Sequence, residues 1–351
     1  MTRPLTRRFA APSPRFAGRG ISLEALLPAC GEKSLEVAQT TKDDVLSSAP
    51  MQQQLISVIL SALLAAGLYA TMAYGLAVIY GVMRIINLAH AGLMMLGAYV
   101  TFALFSRFSL DPFVGLIIVG PFFFLVGVLL YRIMGSRLTR SNVSPSIESL
   151  LVTFGIWLVL QNLAYVIWSG DTQSILTSYT LKSVKILGVR LGVPSVLVFL
   201  ASLASLIFLN LLLKRTYLGK AIRAVTQNRD AARLSGVDAN LISATAFGLG
   251  TAFAGIAGGM LSTMQAFTPD FGRSFLLKSF CIIVLGGMES VTGVAVGALV
   301  LAAMENGLAV YTSVPTSLQD AVSFALLFIA LVAFPQGLPS LFTRFARRSF
   351  R

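Results

Sequence analysis

From Leu55 to Phe334 the chain is an almost unbroken series of apolar runs of membrane-spanning length, and that leaves few folds open to it. A hydrocarbon core of about 30 Å needs roughly 20 consecutive apolar residues in a helix, and in lipid a backbone satisfies its polar groups only within helices or a closed barrel. Such runs fall near 55–80, 86–106, 112–134, 147–168, 192–213, 241–266, 291–311 and 317–334. A shorter run, 276–289, meets Glu289-Ser290-Val291-Thr292-Gly293 and reads as a half-membrane segment if it turns there, which is tolerated only where protein buries it. The expected fold is all-α, a polytopic membrane protein with eight or nine transmembrane helices. Composition agrees, since 56% of the 351 residues are hydrophobic and 12% charged, against about 25% charged in soluble domains.

The net charge of +13, from 27 Lys and Arg against 14 Asp and Glu, sits in loops and tails, where it sets topology beside membrane lipid. The chain carries no polar domain with a basic and aromatic groove, so nucleic acid is not an expected partner. The most elaborate of these loops is Lys214 to Asn240, KRTYLGKAIRAVTQNRDAARLSGVDAN. Its Lys and Arg place it in the cytoplasm by the positive-inside rule. Strict alternation then puts Arg84 and the Arg132/Arg137/Arg140 loop inside. The Asp171 to Arg190 segment falls outside despite Lys182, Lys185 and Arg190, because long loops translocate with less regard to charge. A cytoplasmic tail with Arg344, Arg347, Arg348 and Arg351 needs nine crossings.

Within the basic loop, Lys220 to Ser235 favours one helix, with Gly219 breaking the chain before it and Gly236 at the C′ position. Ala224, Asn228, Ala231 and Ser235 then form a small-residue stripe on that helix. Either Asp238 or Asn240 can cap the next helix, which runs straight into LISATAFGLGTAFAGIAGGML. A basic surface helix lying on anionic lipid fits the same pattern.

RAVTQNRDAARLSGVDAN resembles the cytoplasmic coupling motif of the permeases in branched-chain amino acid ABC importers, the LivH type. YGVMRIINLAHAGLMMLGAYV at 80–100 and VLGGMESVTGVAVGALVLAAMEN at 284–306 resemble the same family, so the likeness covers about residues 51–340. It implies a transmembrane permease domain over 51–340 and a loop at 214–240 that docks on an ATPase subunit. Gly219, Arg223, Ala224, Asn228, Ala231, Ala232, Leu234 and Gly236 are the residues expected at that surface. The resemblance further implies a second, LivM-like permease subunit, ABC ATPase subunits and a periplasmic substrate-binding protein. The implied location is a bacterial inner membrane, and the implied solutes are branched-chain or related amino acids, with urea and short amides as variations. Selectivity would rest mainly with the binding protein.

His90 is the only histidine, which excludes His-based metal clusters and two-histidine relays. Its motif, Asn87-Leu-Ala-His90-Ala-Gly92, resembles the family's Asn-Phe-Ala-His-Gly element, with Leu88 in place of the aromatic residue and Ala91 before the glycine. Asn87, His90, Gly92, Gly97, Gly286, Gly287, Gly293 and Gly297 either line a translocation pathway or hold structure. The pairs Gly255/Gly259 and Gly293/Gly297 have the small-xxx-small spacing that brings helices close in lipid. Glu148, Glu289, Glu305 and Asp320 all sit near span ends, where snorkelling to headgroups is expected and no proton relay is assigned. Gly31-Glu-Lys33-Ser34 lacks the glycine before the lysine that a phosphate-binding loop requires. ATP hydrolysis is therefore expected in another subunit, and no cofactor or metal is expected here. A stand-alone secondary transporter, which needs coupling carboxylates or broken helices in matched halves, and an intramembrane enzyme are the competing classes.

Residues 1–50 are polar and Arg-rich and hold no apolar run of spanning length, so they read as a disordered leader or as sequence ahead of a true start at Met51. An Arg-rich leader also suits a transit peptide, but the bacterial resemblance argues against that. Residues 341–351 read as a basic cytoplasmic tail. Removing residues 2–50 should leave insertion and transport intact, since the segment can bury no core. Mass spectrometry of the native N-terminus and uptake by the truncated chain test this, and abundant leader peptides together with lost uptake would refute it.

Overall fold

Each long apolar run becomes a helix because hydrocarbon offers no partner to a free N–H or C=O. A computed structural model describes residues 51–138, 145–287 and 291–311, and single residues at 321, 325 and 328. All belong to one compact unit, Pro50–Arg351. In chain order it contains α1 Met51–Met83, α2 Ala89–Phe108, α3 Pro112–Leu138 and α4 Pro145–Trp168. A hairpin of β1 Ser183–Ile186 and β2 Val189–Gly192 follows. The remaining elements are α5 Val193–Arg215, α6 Tyr217–Gln227, α7 Arg229–Leu234, α8 Ala239–Leu261, α9 Gly272–Gly286 and α10 Val291–Tyr311. Apart from the three single residues, the expected span at 317–334 lies outside the described residues, as do 1–50 and the 341–351 tail.

Seven of these ten helices, α1 to α5, α8 and α10, are long and apolar enough to cross a membrane. Of the eight or nine expected, seven are found among the described residues. The eighth candidate, α9, has 15 residues, about 22 Å at 1.5 Å per residue, and is too short to span alone. The turn expected after it falls partly on residues 288–290, outside the described residues. The all-α bundle carries one short hairpin in the connection between α4 and α5. Val184 and Leu191 pair across it, and its loop residues Leu187 and Gly188 both have positive φ, 50° and 84°. Positive φ at both positions belongs to the turns that match strand twist.

The long connection that holds the hairpin is tied down at two points ahead of it. Gln173 and Phe267 exchange two backbone hydrogen bonds of 2.9 Å, joining it to the chain between α8 and α9. Tyr179 donates its hydroxyl to Asp111 Oδ2 at 2.8 Å. Burial, and then the Asp111 hydrogen bond, push this phenol up to about 12, so it stays a donor at physiological pH.

At the centre stands α8, buried along nearly its whole length and packed on α1, α2 and α3. Hydrophobicity gives apolar helices no reason to associate in lipid, so contact depends on close packing, and small residues permit it. A Cβ on either Gly75 or Gly250 would lie 2.5 Å from the other's carbonyl oxygen, and one on Gly97 would lie 2.6 Å from Gly255 Cα. One on Gly258 would collide with the Met94 carbonyl, and one on Gly127 would lie 2.8 Å from Gly248 Cα. Around this centre α10 packs on α1, α5 on α1, α4 on α2, and α9 on α10 and α1.

Gly97→Ala should therefore cost about 1–3 kcal/mol by overpacking the α2–α8 seam, read as a lower melting temperature of the purified chain in detergent. Gly155→Ala adds a Cβ that meets nothing within 4 Å and should melt no earlier than the parent. Equal losses from the two would refute the seam.

Candidate functional site

The polar connection between α5 and α8 is two helices where one was expected. Asn228 leaves the helical region (φ −155°, ψ 109°), and its Oδ1 accepts from the N–H groups of Asp230 and Ala231 at 3.0 Å each, capping α7. Asparagine competes in this way for nearby backbone donors, which is why it favours caps over helix interiors. The single stripe through Ala224, Asn228, Ala231 and Ser235 is consequently divided, with Ala224 half-buried on α6 and Ala231 exposed on α7. Gly219 does not break the chain ahead of the helix either. It lies inside α6, its N–H donates to Thr216 Oγ1 at 3.1 Å, and the Leu212 and Leu213 carbonyls occupy the space beside it.

The end of α7 is closed at Gly236, whose φ of +81° suits glycine. The Gly236 and Val237 N–H groups donate to the Arg233 and Ala232 carbonyls at 3.0 Å each, the Schellman pattern. One residue on, Asp238 Oδ1 accepts from Asn240 N and Leu241 N at 2.9 and 3.2 Å and caps α8. The inward side chains Ala221, Ile222, Val225 and Ala232 are buried against α1 residues such as Ala77 and Val78. Outward are Arg223, Asn228, Ala231, Gly236 and Leu234, the last 91% exposed. Arg223 Nη1 donates to the Leu213 carbonyl and Arg229 Nη2 to Asn240 Oδ1 at 3.0 Å, so both arginines brace the connection.

Between α1 and α2 the Asn87 to Gly92 stretch is buried except at the half-buried Leu88. Arg84 takes a left-handed conformation (φ 57°) just after α1, and Asn87 Oδ1 accepts from Ala89 N at 3.1 Å. Thr153 of α4 accepts from Leu88 N at 3.2 Å and donates to Ser149 O at 2.8 Å. His90 is fully buried with Nε2 3.0 Å from the Met72 carbonyl of α1. A carbonyl only accepts, so Nε2 carries the proton. A Cβ on Gly92 would lie 3.2 Å from Trp157 and Leu160 of α4, and Gly97 lies in the α2–α8 seam.

The remaining expected glycines gather where α9 meets α10. A Cβ on Gly286 would lie 2.6 Å from Val294 N and one on Gly297 2.6 Å from Ile282 O, while Gly287 ends α9 with φ +82°. Gly286 abuts the backbone of Gly293. These four residues join two helices.

A buried polar cluster stands where no functional residue was expected. Lys278 of α9 and Glu305 of α10 are 8% and 4% exposed, and Lys278 Nζ lies 3.2 Å from Glu305 Oε1 and 3.3 Å from Oε2. Tyr69 of α1 donates its hydroxyl to Glu305 Oε2 at 2.5 Å, and Nζ lies 5.6 Å from the Tyr69 ring centroid. The expectation that Glu305 snorkels at a span end is therefore corrected, since α10 continues past it and Lys278 holds it inside. The available signal was Lys278 itself, one cation in the apolar stretch LLKSFCIIVLG.

The family described as "Branched-chain amino acid transport system / permease component" matches residues 58–331. The chain is 26% identical over 285 residues to the high-affinity branched-chain amino acid transport system permease protein LivH of Salmonella typhimurium, covering 77% of this chain and 90% of that protein. It is 28% identical to the permease protein BraD of the corresponding system in Pseudomonas aeruginosa, covering 77% and 91%. The xylose transport system permease protein XylH of Haemophilus influenzae is 33% identical over 169 residues, 44% of each chain. No solved structure matches.

The α1–α2 turn supplies a direct test. Thr153→Val removes the acceptor of the Leu88 N–H and should cost about 1 kcal/mol, seen as an earlier unfolding midpoint in mixed micelles. Thr153→Ser keeps the oxygen and should recover most of that loss. A serine variant as unstable as the valine one would refute the pin.

Proposed function

We propose, from the premise that this chain belongs to the branched-chain amino acid transport permease family, that it moves branched-chain or related amino acids across the membrane. The family is that of the non-catalytic, multi-pass membrane components of ABC transporters, and membership displaces the stand-alone transporter and enzyme classes. In this reading ATPase subunits supply the energy, a second similar permease completes the path and a periplasmic binding protein delivers solute. The 26–28% identity to LivH and BraD supports the solute class. Likeness to XylH spans less than half of the chain and supports a sugar less.

The observation that carries the reading is the outward face of the α6–α7 connection. Ala231 and the 91%-exposed Leu234 form a small apolar spot amid Arg223, Arg229 and Arg233, ahead of the Gly236 closure and the Asp238 cap that join it to α8. An exposed leucine on a polar loop suits burial against a partner, and the basic side chains place that partner in the cytoplasm. We assign Ala231, Leu234 and Gly236 to the ATPase contact, with Arg223 and Asn228 shaping the helices that present them. The Asn87/His90 turn is assigned to structure rather than to solute.

Ala231→Trp should block docking. At matched expression, ATPase copurification and amino acid uptake should both fall about tenfold while insertion stays normal, and Leu234→Ala should weaken association less. A helix lying on lipid predicts the opposite, because an added Trp strengthens interfacial binding. Normal association and uptake in Ala231→Trp would defeat the coupling assignment.

A further inference from the structure

Among the described residues, Lys278 and Glu305 are the only Lys, Arg, Asp or Glu residues buried as a whole. Packing gives no reason for the pair, since a buried ion pair is often no more stabilising than apolar residues of the same volume. Ionisable groups inside spans mark pathways instead. Its setting is also distinctive. The α9 helix is too short for bilayer thickness to position it, and glycines 286 and 297 hold its C-terminal half to α10. Its other half is held to α10 and α1 through Lys278, Glu305 and Tyr69.

An amino acid in transit carries one carboxylate and one ammonium, and each needs an opposite charge wherever water is excluded. The pair supplies one ammonium and one carboxylate at 3.2 Å. Resting on the amino-acid reading above, we propose that Lys278 and Glu305 form an exchangeable site for a zwitterionic solute. The solute carboxylate takes the place of Glu305 on Lys278, and its ammonium takes the place of Lys278 on Glu305, while Tyr69 keeps its hydrogen bond to Glu305. Every charge stays compensated throughout, and the part of α9 around Lys278 is released from α10 and α1 only when a zwitterion is present, while the glycine contacts keep its C-terminal end on α10. A neutral sugar gains nothing from such a site. Cys281, one turn beyond Lys278 on the same helix and 1% exposed, reports the release.

The test uses the complete transporter in proteoliposomes, with leucine and the uncharged 3-methylbutanamide as probes. Lys278→Met combined with Glu305→Gln removes both charges and leaves neither unpaired. The double variant should retain its ATPase subunits and lose leucine uptake by tenfold or more. In the wild-type complex, leucine should speed modification of Cys281 by a water-soluble maleimide severalfold, read by peptide mass spectrometry, and 3-methylbutanamide should not. Double-variant uptake within twofold of wild type makes the pair structural and overturns the site. If the double variant fails to assemble, the wild-type labelling decides: rates that ignore leucine, or answer equally to both probes, overturn it. A wild-type complex that takes up no amino acid defeats the functional reading itself, a separate outcome from a transporting complex whose Cys281 stays silent.

Discussion

Backbone-to-backbone contact along α8 is the constraint on which the rest of the bundle depends. Lipid is as apolar as leucine, so burying leucines between helices yields little, and association rests on dispersion over closely fitted surfaces. Here the fit is made by absent side chains. Gly75 meets Gly250, Gly97 meets Gly255, and Gly127 meets Gly248, bringing α1, α2 and α3 onto one helix. Such a seam allows one register, because a shift of one residue along either helix sets a Cβ against a backbone. The α1–α2 turn inherits that precision, and His90 reaches the Met72 carbonyl because both helices are already fixed against α8.

How legible these features were depends on how local their causes are. Run length alone gave the spans, since a stretch of about 20 apolar residues has few other fates. Gly236 could be read as a closing residue, and the α8 cap narrowed to Asp238 or Asn240, because such hydrogen bonds reach only a few positions along the chain. The Asn228 break was harder, since asparagine is compatible with a helix interior and with a cap, and the choice lies in its bonds to Asp230 and Ala231. The hairpin was hidden by the Ser/Thr-rich composition around it, although Val184, Ile186, Val189 and Leu191 alternate about Leu187-Gly188. Lys278 and Glu305 stand 27 residues apart, and only the packing of α9 on α10 shows that they meet.

The connection from α7 to α8 has mechanical content. The Schellman closure at Gly236 is separated by Val237 alone from the Asp238 cap, so no slack linker intervenes between the exposed Ala231/Leu234 face and α8. On the proposed coupling, a displacement of α7 by a partner is delivered to α8, and α8 touches α1, α2 and α3 together. A load entering there moves the centre of the bundle, whereas one entering at the peripheral α4 or α5 would be absorbed by lipid.

A transporter also needs a part that can move without unpicking its core, and the contacts divide accordingly. Glycine seams are held by many short-range contacts that vanish together on separation, which suits elements that travel as one body. The Lys278–Glu305 contact is of another kind, since an ion pair can open without leaving a charge unpaired when another pair of charges enters. It sits on α9, the short helix whose principal neighbours are α10, α1 and α2. On the proposed site and coupling, an exchangeable contact on the 15-residue α9 leaves α8 rigid while α9 answers to solute, and both helices pack on α1, where the two signals would meet.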